Sequence, residues 1–339
     1  MRINRVEIEL SSRCNASCPG CRRTMMIQGQ VELALLDIPE EIIYANFLPF
    51  DLTTFKVKLC GVLGDPLIHP KMLEITEWFV NKGAYVEIST NGGLRNAAWW
   101  AQLGELSKRT GLVDLRFAVD GLAQTNHLYR VNTDFTRIQT NMQAYSDAGG
   151  KASWIYIEFD HNMQDKEPAR ELAKTMGFNF LVRRAAKNSV HDWQVQPTTK
   201  RQQAVTPTDY AVSKQKGQAH EYTELYKNIL AGETQGVQIS CKLVHEGEFF
   251  LASNGTVWPC CFFWDEYQVE STGFRQFIES NFGLQWNSMY SHSFADIFAH
   301  PYYAEILEQS WDPNHPMNQK RCFRSCGAKG KLRNSFAKD

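Results

Sequence analysis

The sequence predicts an α/β protein in which strands and helices alternate to build a parallel sheet, followed by a smaller domain made of a β-hairpin and helix. Three observations carry this. Six short strand-like runs, near residues 6, 57, 87, 116, 156 and 180, are separated by helical patterns. Glycines stand where several of those helices should stop, at Gly83, Gly149 and Gly177. From residue 237 the rhythm changes to a hairpin pattern, and aromatic residues gather in this half.

The elements follow in order. Residues 6–10 read as a strand, and a tight loop of cysteines comes next, broken by Pro19 and Gly20. A polar stretch leads to a helix at 39–47, with Pro39 suited to its first turn. The run 55–59 is a strand that opens into a glycine-containing turn and a helix at 71–82. A strand at 84–90 runs into Asn91-Gly92-Gly93, and a helix spans 96–109. The strand at 112–121 ends in Asp120-Gly121 and is followed by a helix at 135–148. A strand at 153–159, a helix at 167–176 and a strand at 178–182 complete the series. Residues 187–220 are polar, with few apolar side chains, and read either as a linker or as an ordered excursion over the sheet's functional edge. A helix is expected at 221–231. The domains read as 1–188 for the core, 189–236 for linker and helix, and 237–339 for the second domain.

The chain has 339 residues and a formal net charge of −1, so bulk charge makes no case for a nucleic-acid or membrane partner. The N-terminal run lacks the apolar region of a signal peptide, and no apolar run is long enough to cross a bilayer. Nine cysteines in a chain with no secretion signal argue for metal ligation over disulfides and for a reducing cytoplasm.

Three of those cysteines stand at Cys14-x3-Cys18-x2-Cys21. A loop can fold all three sulfurs toward one centre, and soft thiolates select zinc, copper(I) or iron–sulfur clusters. No fourth Cys or His lies nearby to close a tetrahedral zinc site; His69 is the next along the chain. Three thiolates on a four-iron cubane leave one iron open for chemistry. A zinc site or a disulfide-bonded loop is the plainer alternative.

This cysteine loop after a first strand resembles the signature of the radical S-adenosylmethionine (SAM) superfamily. The resemblance implies a partial (β/α)6 TIM-like barrel. It also implies a catalytic 4Fe–4S cluster on Cys14, Cys18 and Cys21 that binds SAM and cleaves it reductively to a 5′-deoxyadenosyl radical. Gly64-Asp65-Pro66 resembles the family's GGEP motif, where glycine lets the backbone approach a ligand and the carboxylate can accept from SAM's ammonium. It departs from that motif in having Asp65 for Glu and Val62-Leu63 inserted after Gly61. Ser89, Thr90 and Asn91 end the third strand, where the family contacts the ribose and methionine portions of SAM. Asp120, with His127 and Arg130 shortly after, follows the fourth strand, and Arg130 could pair with a carboxylate of SAM or substrate. His161-Asn162 follows the fifth.

The second domain carries Cys241, a hairpin turning at Asn254-Gly255, the pair Cys260-Cys261, and Cys322-x3-Cys326. Four thiolates, Cys241, Cys260, Cys322 and Cys326, suffice for a closed cubane. The pattern looks like a Twitch domain, the shortened relative of SPASM domains, and implies one auxiliary 4Fe–4S cluster. The same cysteines could build a structural zinc site, and Cys261 could replace Cys260. The adjacent Phe262, Phe263 and Trp264 are placed to bury the centre, whereas Cys60 reads as a packing residue.

The expected function is therefore a radical SAM oxidoreductase or maturase with two 4Fe–4S clusters. It would abstract hydrogen from a peptide or small polar substrate in an oxidation, crosslinking or rearrangement, served by an electron donor such as flavodoxin or ferredoxin. The rival class is a non-catalytic iron–sulfur or zinc protein.

Overall fold

The computed structural model describes residues 3–29, 31–184, 238–268, 273–312, 315 and 320–327. The polar segment 187–220 and the helix expected at 221–231 lie outside the described residues. In chain order the elements are β1 (Arg5–Ile8), α1 (Arg22–Gln28), α2 (Glu40–Phe47), β2 (Lys56–Leu59), α3 (Met72–Asn81), β3 (Tyr85–Thr90) and α4 (Ala97–Thr110). Then come β4 (Val113–Ala118), α5 (Asn126–Tyr129), α6 (Phe135–Asp147), β5 (Ala152–Glu158), α7 (Lys166–Thr175) and β6 (Asn179–Arg184). The C-terminal part holds α8 (Lys242–Glu246), β7 (Glu248–Leu251), β8 (Val257–Trp258), α9 (Cys261–Gln268), α10 (Phe274–Phe282), α11 (Phe294–Ala299), α12 (Leu307–Gln309) and α13 (Lys320–Cys326). The strands and helices expected from the sequence are present to within a few residues at each end. Helix α1, directly after the cysteine loop, is an addition.

Two compact units form, and both are discontinuous in sequence. One comprises Glu9–Asp37 and the described part of Val57–Gln218; the other comprises the described parts of Met1–Ile8, Ile38–Lys56 and Ala219–Asp339. Composition alone divides the chain elsewhere, at 188 and 236.

In the first unit the strands lie in chain order, β2-β3-β4-β5-β6. β3 is parallel to β4, β4 to β5 and β5 to β6, in registers that pair Val86 with Val113, Leu115 with Ala152 and Ser153 with Asn179. Alternation within the strands explains the layers. Val86, Ile88 and Thr90 of β3, and Val113, Leu115 and Phe117 of β4, are buried, while the intervening residues are more open. Phe117 stacks 5.1 Å from Trp100 of α4 and 5.8 Å from Phe178, and each ring fully buried in such a cluster is worth about 1.5–3 kcal/mol. The indoles of Trp100 and Trp154 donate to the carbonyls of Leu94 and Val119, so neither buried N–H is orphaned. Asn96 caps α4 by accepting from the Trp99 N–H at 3.0 Å. Helices α4 and α6 approach closely because of Gly104: a Cβ there would stand 2.5 Å from the Tyr145 carbonyl oxygen.

In the second unit β1 is parallel to β7, with Val6 opposite Phe249, and β7 is antiparallel to β8. The β7–β8 turn falls at Asn254-Gly255 as its residue types require. Gly255 takes φ +77°, the Ala252 N–H donates to the Thr256 carbonyl at 2.9 Å, and Asn254 Oδ1 accepts from the Thr256 hydroxyl at 2.6 Å. Phe47 of α2 packs on Phe294, Phe55 and Phe249 at centroid distances of 5.0, 5.8 and 6.5 Å. No helix among the described residues is long and apolar enough to cross a membrane.

Candidate functional site

The cysteine loop is held at both ends. At its start Ser12 exchanges hydrogen bonds with residues 34–36: its N–H donates to the Leu36 carbonyl, its hydroxyl donates to the Ala34 carbonyl at 2.7 Å and accepts from the Leu36 N–H. Arg13 pairs with Asp37. Arg23, 3% exposed, donates from α1 to the Ser12 carbonyl at 2.7 Å. In the middle the Ser17 N–H donates to the Val131 carbonyl at 3.0 Å. At the end Cys21 caps α1 with an extended backbone.

Cys18 is buried, and Cys14 and Cys21 are half-buried; none is in a disulfide. The sulfurs meet donors. The Ala16 N–H lies 3.4 Å from Cys14 Sγ, Asn91 Nδ2 lies 3.9 Å from the same sulfur, and Arg130 Nη1 lies 3.7 Å from Cys18 Sγ. Burial, then the Asp65 carboxylate, push the Cys14 thiol well above its ordinary range, and Cys18 and Cys21 add to the push. Burial also raises Cys18, against the pull of Arg130. Burial lowers the Arg23 guanidinium, while Cys14, Cys21 and Glu9 draw it back up. Three thiols crowded together, with N–H donors and two arginines facing them, form a donor set suited to a metal centre that takes thiolates. Among the described residues no three His, Cys, Asp or Glu side chains are arranged around a single ion. A four-iron cluster makes a different demand, one thiolate for each of three irons.

The turn after β2 is keyed into this loop. A Cβ on Gly64 would lie 1.7 Å from the Ser11 carbonyl oxygen, so only glycine fits, and the Asp65 N–H donates to the Arg13 carbonyl at 2.8 Å. Asp65 is 4% exposed. Burial raises its carboxyl, and N–H groups of Asn91 and Leu67 with the Thr90 hydroxyl oppose that rise. Thr90 and Asn91 therefore sit with Asp65. Ser89 lies on the opposite face of β3, in line with Glu87, whose carboxylate pairs with Arg116 at 2.8 Å.

Asp120 and Arg130 form a buried ion pair, Nε to Oδ2 2.6 Å, with the Asp120 side chain fully buried. Asp120 Oδ1 accepts from the Ile157 N–H, its N–H donates to Asn126 Oδ1, and its carbonyl accepts from Asn162 Nδ2. Burial works against the charge on Arg130, but Asp120 and Cys18 outweigh it and hold the guanidinium protonated. One arginine thus joins a buried carboxylate to the cysteine loop. His127 is exposed and stands apart, and His161 stacks on Phe159 at 5.3 Å.

In the other unit Cys241, Cys260, Cys322 and Cys326 fall within one another's electrostatic reach: Cys260 feels Cys322 and Cys241, and Cys322 and Cys326 both feel Cys241. Burial raises all four thiols. Backbone bonds bring the ends together, with the Ser240 N–H on the Cys326 carbonyl at 2.8 Å and Ile239 bridged to Gly327. Cys261 begins α9. Phe263 and Trp264 are buried and Phe262 is half-buried.

Sequence reasoning missed several contributors. Glu9, fully buried, accepts from the Leu63 N–H at 2.7 Å and so ties β1's exit to the turn before Gly64. Nothing local marks it, since in Val6-Glu7-Ile8-Glu9-Leu10 it alternates with apolar residues just as Glu7 does. Tyr129 stands against Gly20, packs on Phe159 at 4.4 Å, and has its hydroxyl pushed up to about 12 by burial. Tyr302 and Tyr303, in a π-type turn, lie beside Cys260, and nothing local marks them.

No protein-family model matches the chain. A "Probable GTP 3′,8-cyclase" of Methanothermobacter thermautotrophicus is 29% identical over 146 residues, which is 42% of this chain and 44% of the cyclase. The match thus spans less than half of the curated relative. Streptococcus suis SuiB shares the fold with a TM-score of 0.53 at 12% identity, covering 90% of this chain and 68% of SuiB. SuiB bound to precursor peptide SuiA gives 0.52 at 13% identity, over 90% and 66%. The likeness to SuiB is one of fold, α/β with a predominantly parallel sheet.

Proposed function

We propose that this chain is a radical SAM enzyme with one catalytic and one auxiliary 4Fe–4S cluster. The observation that carries the reading is the loop Cys14-x3-Cys18-x2-Cys21, braced at both ends and faced by Arg130, Arg23 and Asn91. Cys14, Cys18 and Cys21 would hold the catalytic cluster. When bound, that cluster and SAM supply one-electron cleavage of the sulfonium and removal of an unactivated hydrogen; the chain's residues orient the partners and exclude water. Gly64, Asp65, Thr90, Asn91, Asp120 and Arg130 form or support the SAM side of the site, and Ser89, on the opposite face of β3, does not. Cys241, Cys260, Cys322 and Cys326 would hold the auxiliary cluster, with all four thiolates from the protein and no open iron. Held by these four cysteines, it would supply electron transfer, in keeping with a Twitch-type second domain.

The substrate we propose is a peptide or a small polar molecule, served by a flavodoxin- or ferredoxin-type donor in a cytoplasmic setting. The GTP of the cyclase and the precursor peptide of SuiB represent the two classes. Anaerobic reconstitution should give a brown protein whose reduced form converts SAM to 5′-deoxyadenosine. A colourless protein that retains only zinc and leaves SAM intact overturns the reading in favour of a non-catalytic metal protein.

A further inference from the structure

The turn at Gly64-Asp65 holds a carboxylate whose bonding capacity is already used. Oδ1 accepts from the Leu67 N–H at 3.0 Å and from the Thr90 hydroxyl at 3.0 Å. Oδ2 accepts from the Asn91 N–H at 2.9 Å and from Asn91 Nδ2 at 2.8 Å, and lies 2.9 Å from the same Thr90 hydroxyl. An ionised carboxylate offers about four acceptor sites, and four donors fill them here. The side chain is also shut away, since the residue is 4% exposed. It reaches the buried face of β3, where Thr90 stands, and not the face that carries Ser89.

What Asp65 does hold is Asn91. With its backbone N–H and one amide hydrogen fixed by Asp65, the Asn91 amide spans the gap to the cysteine loop. Nδ2 donates to Asn15 Oδ1 at 2.8 Å and lies 3.9 Å from Cys14 Sγ, and Oδ1 accepts from the Gly93 N–H at 2.9 Å. Meanwhile the Asp65 N–H grips the Arg13 carbonyl, one residue before Cys14. Both ends of the turn therefore bear on the same short segment, Arg13 to Asn15.

We infer that Asp65 is a positioning residue in this chain, locking Asn91 against the Cys14–Asn15 segment, and is not the direct acceptor for the ammonium of SAM. The inference deepens the radical SAM reading and rests on it. It also makes sense of the shorter side chain. Aspartate at the start of a turn bonds the N–H two residues on, as Asp65 does with Leu67, and is pulled back from the open face. A glutamate would carry its carboxylate one methylene farther and could not close this set of bonds unchanged.

The test begins without SAM. Amide hydrogen exchange at Asn91 is measured in Asp65→Asn and in Thr90→Val, the second variant guarding against a misfolded first. Both variants should exchange faster at Asn91, by tenfold or more for Asp65→Asn and by severalfold for Thr90→Val. In reconstituted, SAM-free protein the paramagnetic resonance spectrum of the reduced N-terminal cluster should shift in Asp65→Asn, because Cys14 has lost its fixed neighbour. A structural residue remote from the cluster would leave that spectrum alone. Unchanged Asn91 exchange and an unchanged spectrum, together with weakened SAM binding, would identify Asp65 as the ammonium acceptor and overturn the inference. Failure of the wild type to bind SAM would sink the parent reading and leave the Asn91 measurement standing.

Discussion

The two cysteine groups are alike in chemistry and differ in the cations around them. Around Cys14, Cys18 and Cys21 stand two arginines and hydrogen-bond donors, Arg130, Arg23, Asn91 and the Ala16 N–H, together with the carboxylates Asp65 and Asp120. Around the C-terminal four the charged neighbours are mostly acidic. Glu308 acts on Cys241, Glu266 on Cys322 and Glu246 on Cys326, with Lys242 the opposing cation. Thiolates beside cations are individually easier to form. Thiols that are desolvated beside carboxylates stay protonated unless a metal replaces the protons. The contrast teaches that burial raises thiols in both groups, that Arg130 offsets part of that rise at Cys18, and that the C-terminal four, with mostly acidic charged neighbours, lean more heavily on a metal for charge balance.

The largest effects should come from removing either group outright. Cys14, Cys18 and Cys21 changed together to Ala should abolish SAM cleavage and remove about half the iron, as expected for separate cubanes with separate cysteine sets. Cys322 and Cys326 changed to Ala should spare SAM cleavage driven by an artificial reductant, remove the other half and stop substrate turnover. Iron content unchanged in the first variant would falsify the two-centre picture.

A sharper probe of the cationic surroundings is Arg130→Met. It leaves Asp120 buried without its partner, and breaking such a pair costs about 3–5 kcal/mol. Urea unfolding of the metal-free protein measures it. A loss near that of a surface pair would show that Asp120 finds its compensation elsewhere.

The choice within Cys260-Cys261 tests the second group residue by residue. Cys260→Ser should lower C-terminal iron and broaden that cluster's resonance, and Cys261→Ser should leave both as they are. The opposite pattern would move the ligand by one residue.

The smallest effect concerns a surface charge in the same unit. Arg275 and Tyr267 hold the Glu279 carboxyl below the usual range, against its partial burial. A carboxyl depressed on folding stabilises the protein above its unfolded value, about 4.3, and loses that contribution as pH falls through the folded one. The side chains are 39% and 32% exposed, so screening limits the gain to about 1 kcal/mol or less. Melting of Glu279→Gln should lie slightly below wild type at pH 7 and match it at pH 3. A gap that persists at pH 3 would mean that packing, and not charge, is what the substitution removes.

Much of this was legible before any coordinates. Cysteine spacing, the alternation of strands and helices and the Asn254-Gly255 turn are local signals, written over a few consecutive residues, and local sterics and hydrogen bonding dictate them. Helix α1 escaped because Arg22–Gln28 is too short to show a period. Pairing of β1 with β7 escaped because partners so far apart share no local pattern. Only the tertiary structure decided that Cys260 comes within electrostatic reach of Cys241 and Cys322, since residues so far apart in sequence share no local pattern. It alone decided that Asp65 spends its carboxylate on Thr90, Asn91 and Leu67, because whether a buried acceptor is free depends on which donors the fold brings within 3 Å, and two of these three lie a whole strand–helix unit away.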